Sequence, residues 1–600
     1  MKINLFKVAF LASAALGYKV QTPPLDTKWT YNVGTNPWPE YPRPQLRRSH
    51  WQSLNGIWKW GEDNYRQDGL QSGTDVLVPA CIESALSGIM KNAQNSWYVR
   101  EFKVSKDLKR NGNRIIINFE AVDYQATVYV NDKVVGQNVG GYWRFSFDIT
   151  QFVKDGTNTL RVDVFDPTDA QGYMIPIGKQ ALVPSHIFYT PCTGIWQSVW
   201  LESVPAQYIT QLDVAADMHV DVLVTTTKGS HGGVKVTVTD DSGKDVATGN
   251  GMANKPFSFK VHSPDLWSPD KPTLYNLTVK VGDDEVASYT GFRTIESGEL
   301  DGIKRPLING KYFFQFGTLD QGFWPDGIYV PPNHEAMVFD LQQLKSLGFN
   351  MLRKHIKVEN DLFYRACDEL GLLLIQDMPS MPADEKRPLP TAIWERQLQI
   401  LIQQHKNYPS IYTWIIYNEG WAQHTDYYPE ENLTKVIKNL DPTRLVDATS
   451  GWWDHGFGDW SDNHHYANPQ CGTPFYSTRS SPYDPKRIAI QGEFGGIGHN
   501  VSADHLWKTQ EAIENLNMTY ELDSTLQIWN YRSHFLLSEL RDQIENWACS
   551  AAIWTQTTDV EGEVNGLLTY DRRIFRPDVK QWKADIQALK DTAKARHKEL

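Results

Sequence analysis

The chain has 600 residues, a formal net charge of −12 and 41% apolar residues. Single hydrophobic cores rarely extend beyond about 250–300 residues, so two to four domains are expected. The composition is typical of a folded protein and excludes the disordered and fibrous classes. The net negative charge argues against a nucleic-acid partner and against a basic membrane-binding surface.

The N-terminus has the pattern of a secretory signal peptide. Lys2 and Lys7 provide positive charge, Val8 to Leu16 is almost wholly apolar, and Ala15-Leu16-Gly17 offers a cleavage site. We therefore expect residues 1–17 to be a signal peptide and the protein to be secreted. The apolar stretch is shorter than the ~20 residues of a membrane-spanning helix, and no later segment reaches that length, so no membrane partner is expected. Four glycosylation sequons support secretion, at Asn276, Asn432, Asn500 and Asn517.

The five cysteines are too few and too scattered for a disulfide framework. They are Cys81, Cys192, Cys367, Cys471 and Cys549. They allow one disulfide, and the odd number leaves at least one thiol unpaired or intermolecular. No two have the spacing of a zinc site.

The first half of the chain reads as short strands separated by Gly, Pro and Asn. The segment "RIIINFEAVDYQATVYVNDKVVG" alternates apolar and polar residues, and "TLRVDVFDP" and "IWQSVWLESV" follow it. This spacing predicts a jelly-roll β-sandwich over residues 18–205. A second all-β run, with "VKVTVTD" and "LYNLTVKV", predicts an immunoglobulin-like β-sandwich over residues 206–297.

From residue 298 to residue 600, short apolar strands alternate with helical patterns, which indicates parallel β/α units. A helix is predicted over 336–348 and another over 579–600, where apolar residues recur at helical spacing. Eight strands predict a (β/α)8 TIM barrel, whose active site lies at the C-terminal strand ends. The predicted strands are Tyr312–Gly317, Asn350–Arg353, Leu372–Gln376, Tyr412–Tyr417, Leu445–Ala448, Trp460–His464, Ile488–Gly492 and Ala551–Trp554.

Two glutamates follow barrel strands. Glu419 comes after the fourth strand in "YTWIIYNEGW", behind Asn418, and Glu493 comes after the seventh in "IAIQGEFGG". A single glutamate after an apolar strand is more often structural than catalytic. Two carboxylates at one barrel mouth suit glycosidic bond cleavage, in which one protonates the departing oxygen and the other attacks the anomeric carbon.

Polar or aromatic side chains also end other strands, and any one of them could be a buried structural residue instead. The pair His464-His465 suggests a metal at first, but neighbouring residues on a strand point to opposite sides, and no accompanying ligand spacing is present. No metal site is therefore expected. The strand-end residues are Asp320, Trp324, Arg353, His355, Asp377, His464, His465, Tyr466 and Trp554.

These motifs resemble the β-galactosidase, β-glucuronidase and β-mannosidase family, glycoside hydrolase family 2, along nearly the whole length. The resemblance is carried by "YPRPQLRRSHWQSLNGIWKW", "AVDYQATVYVND", "TGIWQSVWLE", "LWSPDKPTLYNLTVKV" and "LGFNMLRKHIKVENDLFYRACDELGLLLIQDMP". It implies that Glu419 is the acid/base and Glu493 the nucleophile.

The resemblance also implies substrate-binding roles. Asn418 is expected to bind the sugar 2-hydroxyl, His355 to contact substrate, Tyr466 to orient the nucleophile, and Trp554 to form an aromatic platform. Asp320, Asp377 and His465 are further substrate-binding candidates by position. No clear match is present to the Asn-Lys pair by which glucuronidases bind a carboxylate, and "IIYNEGW" and "QGEFGG" differ from the usual segments.

The expected function is that of a retaining exo-glycosidase acting on a glycoside, oligosaccharide or polysaccharide by double displacement, which needs no cofactor. A terminal β-galactoside is the first expectation. A β-glucuronide, a β-mannoside and furanosides (β-galactofuranose or α-L-arabinofuranose) remain as alternatives. Substitutions at the strand ends of one barrel can change which sugar it accepts. A transglycosidase and a catalytically inactive carbohydrate-binding protein on the same scaffold are the rivals. The sequence predicts no oligomeric state.

Overall fold

The computed structural model describes residues 17–596 apart from 63–64, 66–68, 111, 228–231, 383–390, 425–426, 475–482, 500 and 509–520. The predicted signal peptide, except for its last residue, lies outside the described residues. Three regions follow one another along the chain: two β-sandwiches and a barrel. No helix in the described ranges is both long and apolar enough to cross a membrane.

The first sandwich packs two antiparallel sheets, in the strand orders β1-β10-β5-β8 and β3-β2-β4-β9-β6-β7. Buried and less buried residues alternate along β9, so one face of the strand enters the core. A short helix, α1 (Gly69–Ser72), precedes β3. The strands are β1 (Trp51–Ser53), β2 (Gly56–Glu62), β3 (Thr74–Val78), β4 (Asn95–Phe102), β5 (Arg114–Phe119), β6 (Gln125–Val130), β7 (Lys133–Val139), β8 (Phe145–Asp148), β9 (Asn158–Phe165) and β10 (Val199–Val204).

The second sandwich has sheets in the orders β11-β12-β15 and β14-β13-β16-β17, and a two-stranded ribbon of β18 and β19 leads from it to the barrel. Valines at every second position of β12 and β13 supply its core. The strands are β11 (Ile209–Ala216), β12 (His219–Thr226), β13 (Gly233–Thr239), β14 (Asp245–Met252), β15 (Phe257–Lys260), β16 (Tyr275–Val281), β17 (Asp284–Thr290), β18 (Ile295–Leu300) and β19 (Ile303–Ile308).

The third region is a barrel of eight parallel strands in the order β24-β23-β22-β21-β20-β29-β26-β25. The predicted multidomain fold class is confirmed, and all eight strands lie within three residues of their predicted bounds. The barrel strands are β20 (Gln315–Asp320), β21 (Met351–Lys354), β22 (Leu373–Asp377), β23 (Ile411–Asn418), β24 (Leu445–Ser450), β25 (Trp460–His464), β26 (Ile488–Gly495) and β29 (Cys549–Thr555); β27 (Gly498–His499) and β28 (Leu522–Asp523) form a small outer pair.

Helices surround the barrel and begin and end on local signals. In α2 the Asn333 side chain accepts from the amide of Ala336, and Gly348 closes the helix with a φ of 104°. The helices are α2 (His334–Leu347), α3 (Asp361–Leu370), α4 (Thr391–His405), α5 (Pro429–Leu440), α6 (Leu526–Asn546) and α7 (Val579–Arg596).

The first sandwich contacts the barrel in several places within the described residues. Arg144 forms an ion pair of 2.8 Å with Asp361 at the start of α3. The connection from residue 166 to residue 198, between β9 and β10, reaches the carboxyl ends of the barrel strands. There the amides of Ile177 and Gly178 both donate to the carbonyl oxygen of Ser380, at 2.9 and 3.0 Å. This connection therefore borders the end of the barrel at which an active site is expected.

The cysteines form two disulfides, Cys81–Cys192 and Cys471–Cys549, one more than the single disulfide that the sequence suggested as possible. The partners are 111 and 78 residues apart, and the fold brings them together where spacing along the chain gave no signal. Cys367 is buried with a free thiol. Of the sequon asparagines, Asn276 and Asn432 are exposed, whereas Asn500 and Asn517 lie outside the described residues.

Candidate active site

Two glutamates and a histidine meet at the carboxyl ends of three barrel strands. Glu419 follows β23, His464 ends β25 and Glu493 lies in β26. One oxygen of each carboxylate and one ring nitrogen of His464 lie within 4.8 Å of one another. The Glu419 and Glu493 side chains are 12% and 6% exposed. The structure thus brings together the two glutamates that the sequence predicts as a catalytic pair.

Glu493 is held as a carboxylate. Burial alone would raise its pKa, but the charges of His464 and Arg353 and a hydrogen bond from Tyr466 lower the pKa to about 2. Arg353 Nη1 donates to Glu493 Oε1 at 3.1 Å, and the Tyr466 hydroxyl donates to Oε2. An ionised carboxylate is what a nucleophile needs, and the contact with Tyr466 fits the orienting role predicted for that tyrosine.

Glu419 has a left-handed backbone conformation with a φ of 50°. Such a conformation is uncommon for a residue other than glycine and costs on the order of 1–3 kcal/mol. The Glu419 amide donates to the carbonyl oxygen of Ser450 at 2.9 Å, which holds the turn after β23 in place. The turn directs the side chain toward His464, whose Nδ1 lies 2.8 Å from Glu419 Oε1.

His464 connects both glutamates to a buried network. Its Nδ1 lies 3.6 Å from Glu493 Oε1, and its Nε2 lies 2.8 Å from Ser450 Oγ. Ser450 Oγ donates its one proton to Asp462 Oδ2 at 2.7 Å, so Nε2 must be the donor toward the serine. Burial would lower the pKa of His464, but the charge of Glu493 and the hydrogen bond with Glu419 raise it. The raised pKa favours the protonated form of His464, in which Nδ1 can donate toward the glutamates.

Arg353, on β21, is fully buried and organises the floor of the site. It donates to Asp377 at 2.9 Å, to Asn418 Oδ1 at 2.8 Å and to Glu493 at 3.1 Å. Asp377 Oδ2 also lies 2.9 Å from His355 Nδ1. Asp377, predicted to bind substrate, instead lies behind the site and positions Arg353 and His355. The sequence marked Arg353 as a strand-end residue but gave it no role.

Asn418 and His355 lie beside the glutamates, as the resemblance implies. Burial, together with the nearby charges of Lys179 and Arg353, lowers the pKa of His355 well below its ordinary value. The ring is therefore neutral at pH 7. A neutral imidazole whose Nδ1 contacts Asp377 can offer its other nitrogen to a sugar hydroxyl.

Trp554 does not form the predicted aromatic platform. Its side chain is fully buried and packs edge to face on Phe494 and on Trp582 of α7. Residues alternate along a strand, so Ile553 enters the barrel interior while Trp554 points outward into the helix layer. The expectation is therefore corrected, because this ring has no face left for a sugar.

Asp320 and His465 have side-chain contacts with partners other than the two glutamates. Asp320 pairs with Lys354 at 3.2 Å, and this lysine lies over the ring of Phe363 in the helix layer. His465 Nδ1 contacts the carbonyl oxygen of Asn468 in its own loop. Of the histidine pair, His464 enters the site instead. In the sequence His464 comes two positions before Tyr466. Residues two apart along an extended chain point to the same side, so this spacing could have identified His464 as a site residue.

Two tryptophans near Glu419 escaped the sequence analysis as site residues. Trp453 is 50% exposed and packs so closely on Gly420 that a Cβ there would lie 2.3 Å from Trp453 Cδ1. Trp421 packs on Phe188 of the first sandwich, with ring centres 5.5 Å apart. Exposed indole faces suit stacking on sugar rings. The position of Trp421 two residues after Glu419 could have identified it as a site residue. Nothing in the sequence indicates that Phe188, from another domain, contacts it.

Glu419, His464 and Glu493 have ligand types and spacing that a metal ion could use. The guanidinium of Arg353 already lies 3.1 Å from Glu493 Oε1. A second cation at the same carboxylate would be repelled, and the raised pKa of His464 favours a proton over a metal on its nitrogen. The three residues fit proton transfer better than metal binding.

Family models of known proteins match three consecutive parts of the chain. They are described as the sugar binding domain of glycosyl hydrolases family 2 at residues 51–205, glycosyl hydrolases family 2 at 204–293, and its TIM barrel domain at 307–590. Together they cover most of the chain and follow its three structural regions.

Curated relatives carry two names. A putative beta-glucuronidase of Formosa agariphila is 27% identical over 437 residues, 69% of this chain and 38% of the relative. A beta-galactosidase of Thermoanaerobacter pseudethanolicus is 30% identical over 373 residues, 58% of this chain and 48% of the relative. A beta-glucuronidase of Rattus norvegicus is 26% identical over 66% of this chain and 68% of the relative. The matches thus span less than half of the two bacterial relatives.

Solved structures share the fold. A beta-glucuronidase of an uncultured Clostridium superposes with a TM-score of 0.70 and 21% identity, covering 91% of this chain and 99% of that one. A beta-galacturonidase of Eisenbergiella tayi gives a TM-score of 0.67 and 19% identity, covering 92% and 98%. These likenesses show the shared fold, and the three family models show that the chain belongs to glycosyl hydrolase family 2.

Proposed function

We propose that this protein is a glycosidase that cleaves terminal β-glycosides by double displacement, with Glu493 as nucleophile and Glu419 as acid/base. The observation that supports it best is the close approach of the two carboxylates, whose nearest oxygens lie within 4.8 Å. Carboxyl groups are ~5–5.5 Å apart in retaining glycosidases and ~6.5–9.5 Å apart in inverting ones. The depressed pKa of Glu493 supports its assignment as the nucleophile.

In this mechanism Glu493 attacks the anomeric carbon while Glu419 donates its proton to the leaving oxygen. A water molecule then attacks the glycosyl-enzyme and gives its proton to Glu419, which restores both residues. His464 Nδ1, 2.8 Å from Glu419 Oε1, holds the Glu419 carboxyl group in position during both steps. No step calls for a cofactor.

The sugar is the finer part of the proposal. The Formosa agariphila and rat relatives are named for β-glucuronides and the Thermoanaerobacter relative for β-galactosides. These names favour a β-glucuronide over the β-galactoside first expected from the sequence, and the β-galactoside becomes the second candidate. The connection between β9 and β10 contacts the barrel at Ser380, after β22, and a border on this side of the site would favour action on terminal sugars.

A panel of 4-nitrophenyl glycosides tests the reaction and the sugar. It contains the β-glucuronide, β-galacturonide, β-galactoside, β-glucoside and β-mannoside together with the β-galactofuranoside and α-L-arabinofuranoside. We expect turnover of at least one β-glycoside, with the β-configured product appearing first by NMR. First appearance of the α-anomer would reject double displacement, and a predominance of transfer to added alcohol would favour a transglycosidase.

The nucleophile has its own test. A 2-deoxy-2-fluoro glycosyl fluoride of the preferred sugar should trap a covalent adduct on the peptide that contains Glu493, read by mass spectrometry. Glu493→Gln should lose turnover while its circular dichroism stays that of the folded wild type. An adduct on a different peptide would overturn the assignment. Sugar binding without turnover by the wild type would favour the inactive carbohydrate-binding protein.

We also propose that the protein is exported. Two disulfides are typical of oxidising compartments, and the exposed sequon asparagines Asn276 and Asn432 are accessible to glycosylation. N-terminal sequencing of protein from the culture medium should begin near residue 18. Full-length protein retained inside the cells would contradict export.

A further inference from the structure

Lys179 is a buried lysine of the first sandwich that reaches the barrel's active-site end. It lies in the connection between β9 and β10, directly after Gly178, and is 7% exposed. Its Nζ lies 5.8 Å from the ring centre of Trp421, two residues after Glu419, and 5.9 Å from that of Tyr189. Its charge contributes to the lowered pKa of His355 on the neighbouring strand end. The lysine therefore stands between His355 and Trp421.

The ammonium of Lys179 has no anionic partner. Within the described ranges no carboxylate forms an ion pair with Nζ, and no acceptor forms a hydrogen bond with it. Its ring contacts lie near the ~6 Å limit of cation–π attraction and are weak. Its Nζ is not among the enclosed polar atoms that lack a hydrogen-bond partner, so the ammonium is accessible from solvent although the rest of the side chain is buried.

The other buried lysines of the described chain are compensated. Lys354 pairs with Glu359 at 2.9 Å and with Asp320 at 3.2 Å. Lys357 pairs with Glu359 at 2.8 Å and donates to two backbone carbonyl oxygens. Lys179 is thus the exception, and it is the buried lysine that lies beside the candidate active site.

The backbone holds Lys179 in place. The amides of Ile177 and Gly178 donate to Ser380 O, and the carbonyl oxygen of Lys179 accepts from the amide of Tyr189 at 2.8 Å. A Cβ on Gly178 would lie 2.7 Å from the carbonyl oxygen of Ile356, the residue after His355, so the segment lies directly against the barrel. Only a residue without a side chain allows the backbone to approach so closely. This contact fixes the position of the Lys179 backbone against the barrel.

We propose that Lys179 binds a carboxylate of the substrate's terminal sugar, so that the substrate class is a β-linked uronic acid. This inference rests on the proposed glycosidase function and deepens it. The ammonium would supply the positive charge for which the barrel sequence shows no Asn-Lys pair. Specificity would then come from the first sandwich and cleavage from the barrel.

The test compares charged and neutral sugars of matched configuration. Wild-type protein and Lys179→Met are assayed on 4-nitrophenyl β-glucuronide and β-glucoside, and on β-galacturonide and β-galactoside. Truncating one partner of a buried charge pair usually lowers the rate or affinity constant about 30-fold or more. We expect that loss in kcat/KM on the preferred uronide and less than about a 3-fold change on the neutral sugar. Lys179→Arg should retain part of the preference, and Lys133→Met, in the exposed strand β7, should behave as wild type.

Other outcomes are decisive as well. Equal losses on charged and neutral sugars would make Lys179 a structural residue and overturn the inference. Wild-type turnover of neutral sugars with none of uronides would also overturn it and leave the glycosidase assignment intact. If no glycoside is cleaved, the proposed function fails, and calorimetry with free glucuronate and galacturonate decides the inference. Binding that is lost in Lys179→Met supports it, and absent or unchanged binding rejects it.

Discussion

At the scale of single residues, the two glutamates have similar surroundings and opposite tasks. Glu493 faces Arg353, Tyr466 and His464, all of which favour its charge. Glu419 shares His464 but has a direct contact with neither Arg353 nor Tyr466 among the hydrogen bonds of the described chain. The division of roles therefore follows from which glutamate the arginine and the tyrosine contact.

Replacing Glu419 with Ala should separate the two steps of the reaction. Activity should fall much further on substrates with poor leaving groups than on activated aryl glycosides, since a good leaving group departs without a proton. Azide needs no deprotonation and should restore turnover with a β-glycosyl azide as product, identified by NMR. Glu493→Ala treated with azide should give the opposite anomer. Equal losses on all leaving groups, or one stereochemistry from both variants, would contradict the assignment.

Tyr466→Phe should weaken the nucleophile and shift the acidic limb of the pH profile. The hydrogen bond from Tyr466 lowers the pKa of Glu493, so its loss raises that pKa, and the carboxylate becomes protonated at a higher pH. A hydrogen bond to a charged group contributes about 1.5–3 kcal/mol, which corresponds to a fall in kcat of about 10- to 100-fold. Profiles of kcat/KM against pH measure the shift, with Tyr531→Phe on the exposed face of α6 as control. An unmoved acidic limb would show that the tyrosine does not act on Glu493.

The same pKa has a consequence for stability. The pKa of Glu493 is about 2 in the fold against an ordinary value of 4.5. The ionised carboxylate therefore stabilises the fold above about pH 4.5, and this contribution is lost as the pH falls toward 2.

At the scale of elements, Trp554 shows how a strand divides its side chains between two cores. The ring contacts Phe494 and Trp582, and the Cβ of an alanine at Gly495 would lie 2.8 Å from it. The indole Nε1 has no hydrogen-bond partner. Trp554 therefore joins β29 to α7 by packing alone.

Trp554→Ala should lower the free energy of unfolding by about 3–5 kcal/mol, as large-to-small changes of buried aromatic residues do. Trp554→Phe should cost less and leave KM unchanged, because the residue touches no substrate. Trp453 is the exposed ring beside Gly420. In contrast to the Trp554 variants, Trp453→Ala should raise KM with little change in melting temperature. Thermal denaturation and Michaelis constants measure both effects. A raised KM for Trp554→Phe would restore the platform interpretation.

The sequence predicted the barrel closely because each strand is a short apolar run followed by polar residues. The same periodicity placed Glu419, Glu493, His355 and Tyr466 correctly at strand ends. It could not show which way a strand-end side chain points, so Trp554 was predicted to form an aromatic platform although its ring lies in the helix layer. The alternation of Ile553 and Trp554 contained the answer, but only with the register of the barrel known.

At the scale of the whole molecule, the parts that the sequence could not predict are contacts between domains. Phe188, Lys179 and Tyr189 belong to a sandwich connection without regular strands, and no periodicity points them at the barrel. Their placement depends on the Ser380 carbonyl, on the gap left by Gly178 and on the Cys81–Cys192 disulfide. None of these is visible in local sequence patterns.

The disulfide Cys81–Cys192 should stabilise the first sandwich and the connection together. It closes a loop with a sequence separation of 111 residues, and such cross-links contribute about 2–5 kcal/mol. The double variant Cys81→Ala with Cys192→Ala should melt about 5 °C or more below the wild type and show a higher KM. Differential scanning calorimetry and kinetics measure this, with Cys367→Ala and reductant as controls. An unchanged melting temperature would show that the bond contributes nothing to the fold.

The position of Lys179 has a consequence for how such proteins diverge. The residues that break the bond and the residue proposed to select the sugar belong to different domains, and the backbone beside Lys179 contacts the barrel at Ser380 and Ile356. A change in the sandwich connection could therefore alter the accepted sugar without touching the barrel. If the first sandwich were exchanged between relatives, the substrate preference would follow the sandwich. The barrel of the recipient would still catalyse the same reaction.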